Sequence, residues 1–329
     1  MISTEDLLHK LIDIDSTSGN EAQLVRYISS IMRVAGFNIE LIPTEVQSQV
    51  LIARMGNPKI YLSAHCDTVA PYIPFSENKT HIFGRGACDT KGALAAMITV
   101  CLQLHELKAT DFGLIVTVDE EKDFKGAQAI LDSKMPIPFV VVGEPTDLGV
   151  VNGHYGYQGF EFTAKGKSAH TSIPEKGINA IELLMPTLDQ IIKFKPKDNS
   201  VGALVKIDGG KALNVVPDCA SFIYTIRQSP QDTTNYAREL KKLCTKRVTV
   251  HSLVGFNPII SKVPRSLSFL PEPKTVKYCT ELTYLKKGIV LGPGSINDAH
   301  SYKEFVLKSE LTQAVEIYRQ IIRAFIDKG

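Results

Sequence analysis

The chain has little that would tie it to a nucleic acid, a membrane or an oxidising compartment. Its 37 Lys and Arg against 35 Asp and Glu leave a formal net charge of +2 over 329 residues. No basic run is interleaved with aromatics, which disfavours a nucleic-acid partner. No apolar stretch approaches the roughly 20 residues that cross a bilayer. The opening Met1-Ile2-Ser3-Thr4-Glu5-Asp6 is polar and acidic, without the basic and apolar regions of a signal peptide. The six cysteines, at 66, 88, 101, 219, 244 and 279, form no C-x-x-C pair. In a chain this long that pattern reads as reduced thiols of a cytoplasmic protein, not as a disulfide framework. Internal repeats and low-complexity segments are also missing. What is present is the composition of a soluble globular protein, 44% hydrophobic and 22% charged. The length suits one large or two ordinary domains.

Apolar periodicity predicts helices from Thr4 to Ile14, from Ser18 or Asn20 to a stop at Gly36, from Gly92 to Leu107 and from Gly126 to Leu131. Between them lie short strand patterns: 38–42, 49–54, 59–64, 113–118 and 139–142. Lys59 to Ala64, Gly113 to Val118 and Phe139 to Val142 are nearly all apolar, as strands covered on both faces are. Alternation of this kind predicts an α/β domain with a mostly parallel sheet. After Glu144 the texture changes. Strand patterns at 153–166, 201–207, 219–227 and 247–253 enclose helical patterns at 177–192 and 233–244. That order predicts a ferredoxin-like α+β domain inserted into the first. The first domain resumes with a strand at 288–291 and a closing helix at 304–326. The expected boundaries are 1–152 with 257–329 for the α/β domain and 153–256 for the insert.

Chemistry-bearing residues gather at the ends of these apolar strands. His65 and Asp67, two apart at a strand end, point to one face. One could bind a metal while a carboxylate on the far ring nitrogen fixes the tautomer. Glu120-Glu121 follows the 113–118 strand, Glu144 follows the 139–142 strand, and His300 follows a Gly-Pro-Gly turn after the 288–291 strand. In parallel sheets, sites form at the C-terminal strand ends. Asp89 sits in a glycine-rich turn before a helix and reads either as a helix N-cap or as a carboxylate bridging two metals. His and carboxylate donors suit zinc and its neighbours among the divalent metals.

This ordered set resembles the M20 metallopeptidase family over essentially the whole chain. Gly166-Lys167-Ser168-Ala169-His170-Thr171-Ser172 and Asn214-Val215-Val216-Pro217 belong to the resemblance. Three further stretches are similar to the acetylornithine deacetylase branch: Gly177-Ile178-Asn179-Ala180-Ile181-Glu182, Tyr278-Cys279-Thr280-Glu281 and Leu291-Gly292-Pro293-Gly294-Ser295-Ile296-Asn297. The resemblance implies a zinc-exopeptidase-like catalytic domain with a lid that also dimerises. It implies two divalent ions per chain, zinc with cobalt as the alternative. His65 and Glu144 would hold one ion, Glu121 and His300 the other, and Asp89 would bridge them. Asp67 would orient His65, and Glu120 would be the general base and acid. His170 would donate to the oxyanion, across a homodimer interface. Arg227, Asn214, Gly294 and Ser295 would receive the substrate carboxylate. The implied activity is removal of the acetyl group from N2-acetyl-L-ornithine in arginine biosynthesis. The alternatives are deacylation of another small N-acylated amino acid (acetyl-lysine, acetylcitrulline, succinyl-diaminopimelate), a carboxypeptidase of the same family, or a non-catalytic binding protein on the same fold.

Overall fold

The computed structural model describes residues 2–327. The chain divides into two compact units. One runs to Gly153 and takes in Ser261–Thr275 and the chain from Thr280 onward; the other is His154–Ile260 with Val276–Cys279. The breaks thus fall at 153/154 and 260/261, where the sequence pattern suggested 152/153 and 256/257.

The first unit is built on a mixed sheet. Its strands lie in the order Asn38–Pro43, Gln49–Met55, Phe112–Thr117, Ile60–His65, Val140–Val142, Gly288–Val290 and Val151–His154. Phe112–Thr117, Ile60–His65, Val140–Val142 and Gly288–Val290 are mutually parallel, and the strands flanking them are antiparallel. All residues of Ile60–His65 and Phe112–Thr117 are buried. That is why their sequences read as continuous apolar runs and not as alternations. Helix Lys91–Glu106 packs on these strands and is buried from Lys91 through Cys101. Helices Thr4–Asp13 and Lys308–Ile326 pack against it. Ser3 caps the first of these helices by accepting from the Asp6 amide at 3.0 Å, one residue before the expected start.

Two expectations need correction here. The closing helix begins at Lys308, not at Glu304. Phe305–Leu307 is instead a strand, paired antiparallel with His81–Phe83, which in turn pairs with Ser76–Glu77. The apolar run Phe305-Val306-Leu307 satisfied a helical pattern and a strand pattern equally. The helix expected at 233–244 is shortened to Tyr236–Lys241, because Asn235 caps it by accepting from the Arg238 amide.

The second unit is a four-stranded antiparallel sheet in the order Val201–Gly209, Cys219–Gln228, Gly156–Lys165, Val248–Phe256. Helices Ala180–Lys193 and Tyr236–Lys241 complete the ferredoxin-like order. Along Cys219–Gln228 burial alternates strictly, so Ala220, Phe222, Tyr224 and Ile226 face the helices. Phe162 and Phe222 stack across the strands with ring centroids 4.5 Å apart. Val201–Gly209 is an edge strand with one partner, and Val201, Leu204, Val205 and Ile207 on it are exposed. No helix among the described residues is long and apolar enough to cross a membrane, and all six cysteines are free thiols.

Candidate metal centre

The parallel strands deliver the site. His65 ends one strand, Glu120 and Glu121 follow Thr117 at the end of the next, and Glu144 follows Val142 at the end of the third. These C-terminal ends share one edge of the sheet. His65 is 1% exposed, and its Nδ1 lies 2.9 Å from the Asp67 carbonyl oxygen. The carbonyl can only accept, so the Nδ1–H donates to it and Nε2 keeps its lone pair for a metal. That nitrogen faces Asp89 Oδ1 at 3.1 Å and Glu144 Oε2 at 4.0 Å. The other Asp89 oxygen, Oδ2, lies 3.2 Å from His300 Nε2, which also faces Glu121 Oε1 at 3.0 Å. Asp89 therefore offers one oxygen to each histidine. Its possible role as helix N-cap is excluded, because Thr90 occupies that position.

These donors fit divalent metal. Ligands bound tetrahedrally at 2.0–2.1 Å from one ion stand roughly 3.3 Å apart, close to the separations above. Nitrogen and oxygen donors of His65, Asp89 and Glu121 all lie within 4.8 Å of one another. Glu144 Oε1 is buried and has no hydrogen-bond partner, an arrangement that a cation relieves.

The electrostatics point the same way. Burial raises the pKa of Glu144 well above the carboxylate range and raises that of Glu121 less. Glu120, partly open to solvent, is also raised well above it, by desolvation in this acidic surrounding. Burial opposes ionisation of Asp89 too, yet the two histidines hold its carboxyl well below the usual range. Hydrogen bonds to Asp89 and Glu121 push His300 up to about 10. His65 is raised despite its burial by Asp89, Glu120 and Glu144.

Asp67 does more than orient His65. Its carboxylate stands 3.6 Å from the ring nitrogen, farther than its own carbonyl. Asp67 Oδ1 accepts from the Glu120 amide at 3.0 Å and Oδ2 from the Glu121 amide at 3.1 Å, while Ser18 Oγ donates to Oδ2 at 2.8 Å. Asp67 thus holds the histidine through its carbonyl and the two glutamates through its carboxylate. The Glu120 carboxylate, unlike its amide, has no hydrogen-bond partner among the described residues, as suits a group kept for proton transfer.

Sequence reasoning missed two buried acids. Glu304 accepts from the amides of Gly86, Cys88 and Asp89 and pairs with Arg85. Glu281 is fully buried beside Thr117, and burial pushes its pKa up to about 7. Glu281 closes the stretch Tyr278-Cys279-Thr280-Glu281 with no role attached to it, and Glu304 has no signature until the fold buries it.

Of the residues expected to bind substrate, Gly294 and Ser295 lie in the first unit. Gly294 has φ +82°, and a Cβ there would meet Cys88 Sγ at 2.6 Å, so glycine is required. Its amide already donates to Glu310 Oε2 at 3.0 Å, and the Ser295 hydroxyl to Asp147 Oδ2 at 3.3 Å. His170, Asn214 and Arg227 lie in the second unit. The Thr171 amide donates to the Asn214 carbonyl at 3.1 Å, which places His170 and Asn214 on adjoining segments. His170 Nδ1 accepts from the Ser172 amide at 3.1 Å, so the neutral ring carries its proton on the exposed Nε2. Arg227 is half-buried, with its guanidinium 4.6 Å from the Tyr157 ring centroid and Nη1 3.5 Å from Cys279 Sγ. It has no carboxylate partner among the described residues.

A family model described as Peptidase family M20/M25/M40 matches residues 61–324. A probable carboxypeptidase of Aspergillus terreus is 30% identical over 367 residues, which span 95% of this chain and 84% of that protein. A tripeptidase of Staphylococcus aureus superimposes with a TM-score of 0.83 at 20% identity and covers 100% of both chains. A dinuclear metal-binding peptidase of family M20 from Bacillus subtilis does so with a TM-score of 0.74 at 15% identity, over 99% of this chain and 98% of its own.

Two outcomes follow from the charge state of the centre. Metal requires neutral imidazoles, and carboxylate partners raise the pKa of both histidines without it. Loading at pH 7.5 should therefore release protons, measurable by calorimetry in buffers of different ionisation enthalpy. Affinity should rise with pH; pH-independent affinity would contradict the assignment. The second outcome concerns Glu281. Its folded pKa is raised, so its stabilising effect is complete below about 4.5 and is lost as pH rises through about 7. Glu281→Gln should match the parent at pH 4.5 and exceed it at pH 8 by about 3 kcal/mol in metal-free protein, by denaturant unfolding.

Proposed function

The chain belongs to peptidase family M20/M25/M40 and is a hydrolase of that metal-dependent class; from that premise we propose that it is a two-zinc carboxypeptidase, cleaving the amide bond beside a free terminal carboxylate. The observation that carries the reading is Asp89, with one oxygen turned to each of two histidines. The carboxypeptidase name of the curated relatives supports a peptide substrate over acetylornithine. The half-buried Arg227 without an acidic partner supports a carboxylate on that substrate. A guanidinium fork matches carboxylate geometry bidentately, and the Tyr157 face holds it in place. Deacetylation of N2-acetyl-L-ornithine is a narrower form of the same reaction, amide hydrolysis next to an α-carboxylate, and rests on the local stretches at 177–182, 278–281 and 291–297.

In this reading His65 and Glu144 hold one ion, Glu121 and His300 the other, and Asp89 both. When bound, the ions polarise the scissile carbonyl and lower the pKa of water. Glu120 takes the proton of the attacking water as the carbon–oxygen bond forms. It passes that proton to the leaving nitrogen as the carbon–nitrogen bond breaks. His170 is assigned the developing oxyanion, for which its Nε2–H is the available donor. The second unit is assigned the interface of a homodimer. An unpaired edge strand with exposed Val201, Leu204, Val205 and Ile207 is open to pairing with a second copy.

The direct test is a panel of dipeptides and tripeptides with free or amidated C-termini, together with N2-acetyl-L-ornithine, assayed by amine release. Free carboxylates should be required. Equal turnover of amidated peptides would remove the carboxypeptidase reading, and turnover confined to acetylornithine would favour the narrower one. Arg227→Lys should lower kcat/KM by roughly tenfold or more for free-carboxylate substrates, because a point charge replaces a bidentate fork; unchanged kcat/KM would reject Arg227 as the anchor. Glu120→Gln should keep full metal content and lose at least about 100-fold in kcat; near-parental kcat at full metal content would reject its role. Val205→Asp should convert a dimer to a monomer in analytical ultracentrifugation, since charge on an edge strand opposes pairing. A parent chain that is already monomeric would contradict the homodimer.

A further inference from the structure

The turn that carries Asp89 is held from behind by one buried carboxylate. Glu304 is 1% exposed. Its Oε1 accepts from three main-chain amides, Gly86 at 2.9 Å, Cys88 at 3.1 Å and Asp89 at 3.0 Å. Its Oε2 accepts from Arg85 Nη1 at 2.6 Å. The Glu304 carbonyl accepts from the Gly84 amide at 3.2 Å. The strand Phe305–Leu307 then pairs residue by residue with His81–Phe83. Arg85 is 2% exposed and also donates to the carbonyls of Pro71 and Ser301, each at 3.2 Å. Residues 84–89 are thus moulded around a side chain more than two hundred positions away.

The arrangement has a consequence for the centre. A buried amide without an acceptor is destabilising, so the three amides fix the Asp89 backbone where Glu304 Oε1 lies. Only two side-chain torsions separate that backbone from oxygens that must stand 3.1 and 3.2 Å from the two imidazoles. Glu304 also follows His300 by four residues, and Arg85 ties the intervening Ser301 to the same turn. One segment therefore carries a ligand of one ion and the support of the carboxylate shared by both. We propose that Glu304 is the positioning residue of the bridging carboxylate, so that its acceptor oxygen governs binding of both metal ions although it touches neither. The inference rests on the two-metal reading of the site.

Two double variants separate this from a purely structural ion pair. Arg85→Met with Glu304→Gln removes both charges and keeps an acceptor oxygen for the amides. Arg85→Met with Glu304→Met removes the acceptor as well. Neutralising both partners avoids leaving a buried charge unpaired. Metal-free protein is titrated with cobalt(II), read by calorimetry and by visible absorption, and folding is checked by circular dichroism and thermal unfolding. The Gln variant should bind two ions within about threefold of the parent, whereas the Met variant should lose about 10- to 100-fold for both ions, the usual effect of removing a residue that orients a ligand. If the Met variant does not fold, Glu304→Asp takes its place. Asp keeps the charge but draws the acceptor back by one methylene, and the same loss is expected at an unchanged melting temperature. Parental binding by the Met variant, or by the Asp variant in its place, overturns the inference. Equal loss in the Gln and Met variants also overturns it, because the charge pair would then be the whole role. A parent chain binding fewer than two ions overturns the two-metal reading, and this inference with it.

Discussion

Asp67, Asp89, Glu121 and Glu144 are packed at the ends of three parallel strands, each almost out of contact with water. Like charges cannot share a buried site in ionised form unless positive charge joins them. Much of the first unit follows from that constraint. The Asp67 carboxylate accepts from the amides of Glu120 and Glu121 and from the Ser18 hydroxyl. The others are left facing two imidazoles, and Glu144 keeps one oxygen with no partner at all. Protons can hold such a cluster together. Divalent metals do so better, because each supplies two charges and several bonds at separations the side chains already have.

The division of the chain follows the same economy of roles. The first unit contains every proposed metal ligand together with Glu120, on elements locked by two-sided burial of Ile60–His65 and Phe112–Thr117. Rigid placement matters there, since catalytic geometry tolerates only small displacements. The second unit contains His170, Asn214 and Arg227, all with polar atoms still available for a ligand. His170 has a free Nε2–H, and Arg227 stacks on Tyr157 directly across a strand pair. The proposed chemistry thus separates into a fixed centre that hydrolyses and a module that recognises.

What the sequence disclosed depended on whether a residue acts through its chemical type or through its place. His65 with Asp67, Glu120 with Glu121, Glu144 and His300 are legible as candidate donors because ligand-type side chains follow apolar strands or glycine turns; the choice within each pair comes from the family resemblance. Asp89 was ambiguous, since a carboxylate before a helix is also a good cap; the structure gives the cap position to Thr90. Asp67 was recognised, but its partner was not, because main-chain amides leave no trace in a sequence. Glu304 leaves no trace for the same reason, and Glu281 gains its character only from burial. The antiparallel ladder at Phe305–Leu307 was taken into the closing helix, as three apolar residues fit either period. The ferredoxin-like order of the second unit is readable from alternation along 201–207 and 219–227; burial follows that alternation on Cys219–Gln228, whereas Val201–Gly209 is exposed along nearly its whole length.

The central claim is that Asp89 joins two metal ions, each completed by one histidine and one glutamate. Anomalous diffraction at the zinc edge from crystals of the metal-loaded protein tests it most directly. The account predicts two peaks about 3.5–4 Å apart, one bounded by His65 and Glu144, the other by Glu121 and His300, with an Asp89 oxygen on each. A single peak, or a second ion held by Glu120 in place of Glu121, would contradict it.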